Sequence, residues 1–304
     1  MSGPITVTDE ANSLSHVHST PDNAPRKSYT LATITFIYLL WSLVPVAIAV
    51  LFSFNSGRSR SVWQGFSLRW YIWDPEGSVL HNESLRSAVV HTLVLGVITT
   101  AIVVPLGVLF ALALDRWRGR VPSGASFAVL LSFVVPEIAL AIGLLFMITW
   151  LATPFELGTT AQVIGLITFQ LSYPVVIVRA RLLTIGTHYE EAARDLGASP
   201  LGAVRRVLLP MLYPAIFVSA ILVFADVLDN FVLVRYLSAN AASETTSMKI
   251  YNTARAAPTP ALNAIATLIL LASFAVVIVG YLAYRKWGRG QGEEGTGLGS
   301  MAAM

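Results

Sequence analysis

The chain has 304 residues, 55% of them hydrophobic and only 12% charged, with a formal charge of +3 and a mean hydropathy of +0.67. Soluble domains carry roughly 25% charged residues, so this composition excludes an ordinary soluble globular domain and a disordered chain alike. The absence of cysteine excludes disulfides, thiol chemistry and cysteine-ligated metals.

Residues 1–28 are polar and lack apolar periodicity, the pattern of a disordered tail. The apolar run that follows starts too late and lasts too long for a cleaved signal peptide. His16 and His18 in this tail read as incidental rather than as a metal pair. A first membrane span is expected over residues 31–52, with Pro45 inside it. The loop over 53–85 carries Trp63, Trp70, Tyr71 and Trp73, which suit a membrane–water interface. A second span over 88–114 ends in a short basic turn, Asp115, Arg116, Arg118 and Arg120. A third, over 125–150, has Pro136-Glu137 in its interior, and a fourth, over 163–183, contains Pro174.

A polar, helix-patterned interruption follows over residues 187–210. Thr187 and Glu190 have the spacing of a capping box, so a helix is expected from about His188. Gly197 ends it, where a left-handed residue costs little. Ser199 then offers an N-cap with Pro200 at the first helical position. Pro210 is expected to stop or kink this second helix. The result is a docking knob of two short helices between two spans. A fifth span is expected over 215–237 and a sixth over 264–284, before a glycine-rich tail at 288–304.

Six spans place both tails on one side of the membrane. Segments on that side hold thirteen of the 20 Lys and Arg residues, and the opposite loops seven. The bias puts both tails, and the knob, in the cytoplasm. The fold class is thus an all-α membrane protein of six transmembrane helices, its core domain spanning residues 29–287. No phosphate-cradling G-x-x-x-x-G-K-[ST], H-E-x-x-H or G-x-S-x-G is present. His81, His91 and His188 are scattered, so no catalytic constellation can be argued.

The spans do contain acids. A carboxylate at membrane depth costs about 3 kcal/mol on insertion scales and usually faces the bundle interior or a wet path. Glu137, Asp226 and Asp229 are such residues, with Asn230 adjacent. Asp226 and Asp229 lie three apart and Asn230 four from Asp226, which would put all three near one helix face. They read either as a negatively lined passage for a cation or as structural carboxylates paired with arginine, with the broken backbone near Pro136, or protonated.

Glu191-Ala192-Ala193, Gly197 and Val207-Leu208-Leu209-Pro210 resemble the EAA loop of permease subunits of binding-protein-dependent type I ABC importers. The resemblance implies that the knob inserts into a cytosolic ATPase. Glu190, Glu191, Ala192, Ala193, Asp195, Gly197, Leu209 and Pro210 would carry the coupling. Glu191 would make the charged contact, the two alanines would let the helix seat closely, and Gly197 would set the angle between the helices. It also implies an ATPase dimer, a second homologous permease and an extracytoplasmic binding protein as partners, alternating access as mechanism, and no cofactor, nucleic acid or catalytic residue.

Ser53-Phe54-Asn55, residues 65–71, Pro136-Glu137-Ile138, Leu228-Asp229-Asn230 and Met248-Lys249-Ile250-Tyr251 with residues 258–270 look like the second permease of spermidine/putrescine importers. Two departures stand out: Glu137 where that family carries Asp, and Asn230 where it tends to carry a second acid. The second removes a negative charge from the path of a polycation. A permease for another solute (ferric iron, amino acid, sugar) therefore stays open, as does an ion-coupled transporter using Glu137 and Asp229.

Overall fold

The computed structural model describes residues 29–59, 61–116, 120–151, 155–256 and 259–292. The expected tail 1–28 and residues 293–304 of the second lie outside the described residues. The chain divides into two compact units, Met1–Ile48 and Ala49–Met304. The first holds most of α1 (Tyr29–Ser53), with Pro45 inside it. Thr33 and Thr35 donate their hydroxyls to the carbonyls of Tyr29 and Leu31, each at 2.8 Å. Neither hydroxyl therefore meets hydrocarbon unpaired.

The second unit contains α2 (Glu83–Arg116), α3 (Arg120–Val134), α4 (Glu137–Trp150), α5 (Thr159–Gln170), α6 (Ser172–Ile185), α7 (His188–Asp195) and α8 (Pro200–Ala203). A π-turn over Val204–Leu208 leads into α9 (Leu209–Asp229), followed by α10 (Val232–Tyr236), α11 (Thr246–Ala256) and α12 (Pro260–Gly292). Among the described residues, five helical stretches are long and apolar enough to cross a membrane, and the bent pair α3–α4 makes a sixth if it counts as one span.

Three proline positions set where the helices depart from the expected spans. The third expected span is not straight: α3 and α4 meet at 107°. Pro136 has no N–H to continue the ladder and its ring restricts Val135, so the helix stops and restarts at Glu137. Pro174 leaves the Gln170 carbonyl without its helical donor, and α5 gives way to α6 there within the span Thr159–Ile185. Pro210 does not stop its helix. The turn before it widens, so that the Leu209 N–H bonds to the Val204 carbonyl, and α9 proceeds. The helical stretch that holds the fifth span accordingly starts at Pro200 and ends at Asp229, not at 237 as expected.

α2 is the central rod, packed against α9, α6 and α5. Lipid tails give apolar helices no hydrophobic reason to associate, so close backbone approach has to supply the contact. Gly107 lies against Pro174, and a Cβ on Gly96 would sit 2.9 Å from the Phe224 ring. An inner core cluster joins α2, α6 and α9 through Ala111, Val178, Leu182, Leu208 and Leu212. A second gathers Leu95, Leu166, Val227, Leu233 and Leu237 around α5 and α10.

Candidate functional site

The interruption after the fourth span forms the expected pair of short helices. Gly197 adopts φ +87°, and the N–H groups of Gly197 and Ala198 return to the carbonyls of Arg194 and Ala193 at 2.9 and 3.0 Å. Ser199 caps α8 by accepting the Gly202 N–H at 3.1 Å, with Pro200 next. The capping box at Thr187 does not form: that side chain makes no cap bond. Glu190 turns away instead and pairs with Arg116, at the last position of α2. The ion pair offers the Glu190 carboxylate a charged partner that a backbone N–H cannot match.

No residue of α7 is buried. Glu191, Ala192, Asp195 and Gly197 are exposed and Ala193 is half-buried. Two large apolar side chains stand out in the open, Leu196 at 91% and Leu201 at 77% exposure. Leu209 and Pro210 are not at this tip: both are half-buried, with Leu209 against the inner core cluster.

The intramembrane polar residues divide. α9 ends at Asp229, and Asn230 leaves the helix with φ −58° and ψ 125°, so it does not share a helical face with Asp226. This break meets the one at Pro136. Asn230 Nδ2 donates to Glu137 Oε1 at 2.5 Å, its carbonyl accepts the Ser247 hydroxyl at 2.7 Å, and its Oδ1 accepts the Val234 N–H at 3.5 Å. Asp226 is half-buried and accepts from the amide of buried Gln170. Asp229 is exposed and has no hydrogen-bond or ion-pair partner among the described residues. Glu137 lines a pocket of about 290 Å³ with Phe133, Phe169 and Tyr173. Tyr173 lies within electrostatic reach of both Glu137 and Asp226. The structure therefore pairs Glu137 with Asn230 and Asp226 with Gln170, and leaves Asp229 exposed.

Gln162, an amide inside an apolar span, is a further polar anchor. Fully buried, it donates to the carbonyls of Val234 and Ser243 at 3.0 and 2.8 Å, and its Oε1 meets His91 Nε2 at 2.9 Å. With both amide protons spent, Oε1 accepts, so His91 carries its proton on Nε2. A glutamine inside an apolar span was the available signal. Trp70 corrects the interfacial reading: it is 2% exposed, with its indole N–H on the Asn55 carbonyl at 2.7 Å.

Residues 103–288 match the family described as binding-protein-dependent transport system inner membrane component. The chain is 33% identical over 270 residues to the spermidine/putrescine transport system permease protein PotC of Shigella flexneri, covering 88% of this chain and 96% of that protein. It is 33% identical over 255 residues to the putrescine transport system permease protein PotI of Escherichia coli (strain K12), covering 82% and 86%. Its fold is similar to that of a chain in a bacterial ABC transporter involved in the import of the acidic polysaccharide alginate, with a TM-score of 0.69 at 17% identity over 85% of this chain and 94% of that one. An all-helical membrane chain with this fold, matched over most of its length by such permeases, belongs to the binding-protein-dependent transport system inner membrane component family, the non-enzymatic permease subunits of ABC importers.

Proposed function

We propose that this chain forms half of the translocation path of a polyamine importer, with both tails in the cytoplasm. A second homologous permease completes the path, two ATPase copies drive it, and an extracytoplasmic binding protein delivers the solute. The observation that carries the substrate class is Glu137 beside three aromatic rings, at the meeting of two broken helices. An anionic carboxylate with aromatic walls suits an alkylammonium group, which gains from charge and ring face together. The identity to permeases named for spermidine and putrescine supports the same class.

The α7–α8 knob is the coupling element. It is polar, buries nothing in α7 and is tipped with Leu196 and Leu201, which is what a segment covered by another subunit needs. Glu191 makes the charged contact, and closure of the ATPase dimer moves the knob. Asp226 and Asn230 line the path with Glu137, while Asp229 stands at its margin. A different solute is the second reading, favoured by Asn230 and Gln170, which leave fewer free negative charges along the path. The test is ATPase stimulation of the assembled complex with its binding protein in lipid nanodiscs, against spermidine, putrescine, amino acids, sugars and ferric iron. Stimulation by a polyamine alone is expected. Stimulation by another member of the panel would replace the substrate class and keep the permease.

A further inference from the structure

We infer that Arg116 is a positioning residue that latches the coupling helix to α2 and so delivers the knob's movement to the extracytoplasmic side. The inference rests on the reading of α7–α8 as the coupling segment. The pair joins opposite helix ends: Arg116 closes the C-terminus of α2 and Glu190 sits in the first turn of α7. Each side chain carries the sign that its own helix end favours. α7 is otherwise set off by left-handed glycines, Gly186 at φ +70° and Gly197 at φ +87°. Its other packing is chiefly onto α8 and the π-turn, the chain that leads to α9. The ion pair is thus a direct side-chain link from α7 to α2, beside the packing of α2 on α6 and α9, and gives α2 a share of any displacement of α7. A space of about 350 Å³ beside the pair, lined by Asp115, Gly186, Thr187 and Glu191, leaves room for that displacement.

What α2 can do with it follows from its length. Its 34 residues span about 51 Å at 1.5 Å per residue, more than the roughly 30 Å of a hydrocarbon core. The far end is bonded to the elements that hold the path residues. Thr92 Oγ1 accepts the Thr246 N–H at 2.8 Å, and Lys249 Nζ donates to Ser84 Oγ at 2.6 Å, which fixes α11. His91, through Gln162, reaches the carbonyl of Val234 in α10. α11 in turn holds Asn230 through Ser247, and Asn230 holds Glu137. Arg116 stands at the cytoplasmic end of this one rod.

The experiment measures uptake per ATP hydrolysed in proteoliposomes holding the full importer, with membrane content and assembly checked for each variant. Arg116→Ala and Glu190→Gln are each expected to lower that ratio at least about fivefold, the lower end of ordinary coupling energies. The double variant should fall no further than either single one, and exchanging the charges as Arg116→Glu with Glu190→Arg should recover most of the loss. A ratio unchanged in both single variants, losses that multiply in the double variant, or no recovery on exchange would each overturn the latch. Glu190→Gln keeps the side chain's shape, so it decides the matter if the Arg116 variants do not assemble. If the unaltered importer shows no ATP-driven uptake, the coupling reading itself fails, which is a different result from a normal importer insensitive to Arg116.

Discussion

Two segments of this chain lie outside the spans and are built in opposite ways. The stretch after α1 ties its buried polar groups into itself and packs Trp70 and Val79 against Ala261, Ala264 and Ile265 of α12, while Phe66 and Trp73 stay exposed. Asn55 sends its amide to the carbonyls of Ser59 and Val62 at 2.9 and 3.0 Å, takes the Gln64 N–H at 2.8 Å, and is fully buried. Trp70 and Tyr71 are tied to Asn55 and Ser53. The knob at α7–α8 has no buried residue in its first helix and leaves Leu196 and Leu201 bare. A segment that satisfies its own polar groups carries its stability with it. A segment whose first helix buries nothing gains that stability from whatever covers it. Substitutions in the first should therefore unfold, and substitutions in the second should uncouple.

The largest effects are expected in the knob, on transport alone. Gly197→Pro forces φ to about −65° where the chain needs +87°. Glu191→Lys reverses an exposed charge. Either should abolish uptake while membrane content stays normal, as read by immunoblot beside a uptake assay. Leu196→Ser comes next. Losing a leucine from a covered interface costs about 2 kcal/mol, so ATPase retention on the purified permease should weaken more than tenfold, with the permease's melting temperature unmoved. A melting temperature that falls with Leu196 would place that residue among the self-supporting ones and break the contrast.

Asn55→Ala tests the other side. Three backbone groups, on Ser59, Val62 and Gln64, lose their partner, at about 0.5–1.5 kcal/mol each. The detergent-solubilised protein should melt several degrees lower, and uptake should fall only as far as the folded amount falls.

How much of this was legible in the sequence depended on whether the information was local. The knob's boundaries were, because Gly197, Ser199 and Pro200 act within a few residues of themselves. The presence of the spans was, because hydropathy is a sum over neighbours, though not the end of the fifth at Asp229. The bend at Pro136 was only half legible: the proline was visible, but Pro45, Pro174 and Pro210 sit inside helices that continue or resume within a residue or two, and no local pattern separates them from Pro136. The pairings were not legible. Asn230 and Glu137 are 93 residues apart and Arg116 and Glu190 are 74 apart. Thr187 and Glu190 looked like partners by spacing, and a charge from another helix took the glutamate.

The smallest effect, and the finest test of the contrast, concerns Asp74 in the closed segment. It is 4% exposed. Burial alone would raise its carboxyl pKa. The Gly77 N–H at 2.7 Å, the Arg69 guanidinium at 2.7 Å and the Glu76 N–H at 3.1 Å outweigh that and hold it below the usual 3.8. A folded-state pKa below the unfolded one means that the unfolded chain binds the proton first. The contribution of Asp74 is then complete above the unfolded value and is lost as pH falls through the folded one. Melting temperature measured down an acid series should drop in this window, and Asp74→Asn should flatten that part of the curve. The knob's acids, Glu191 and Asp195, are exposed and lie in no such nest of donors. Replacing them with Gln and Asn should leave the melting temperature at neutral pH unmoved, and a fall would mean that the knob too is held by its own charges.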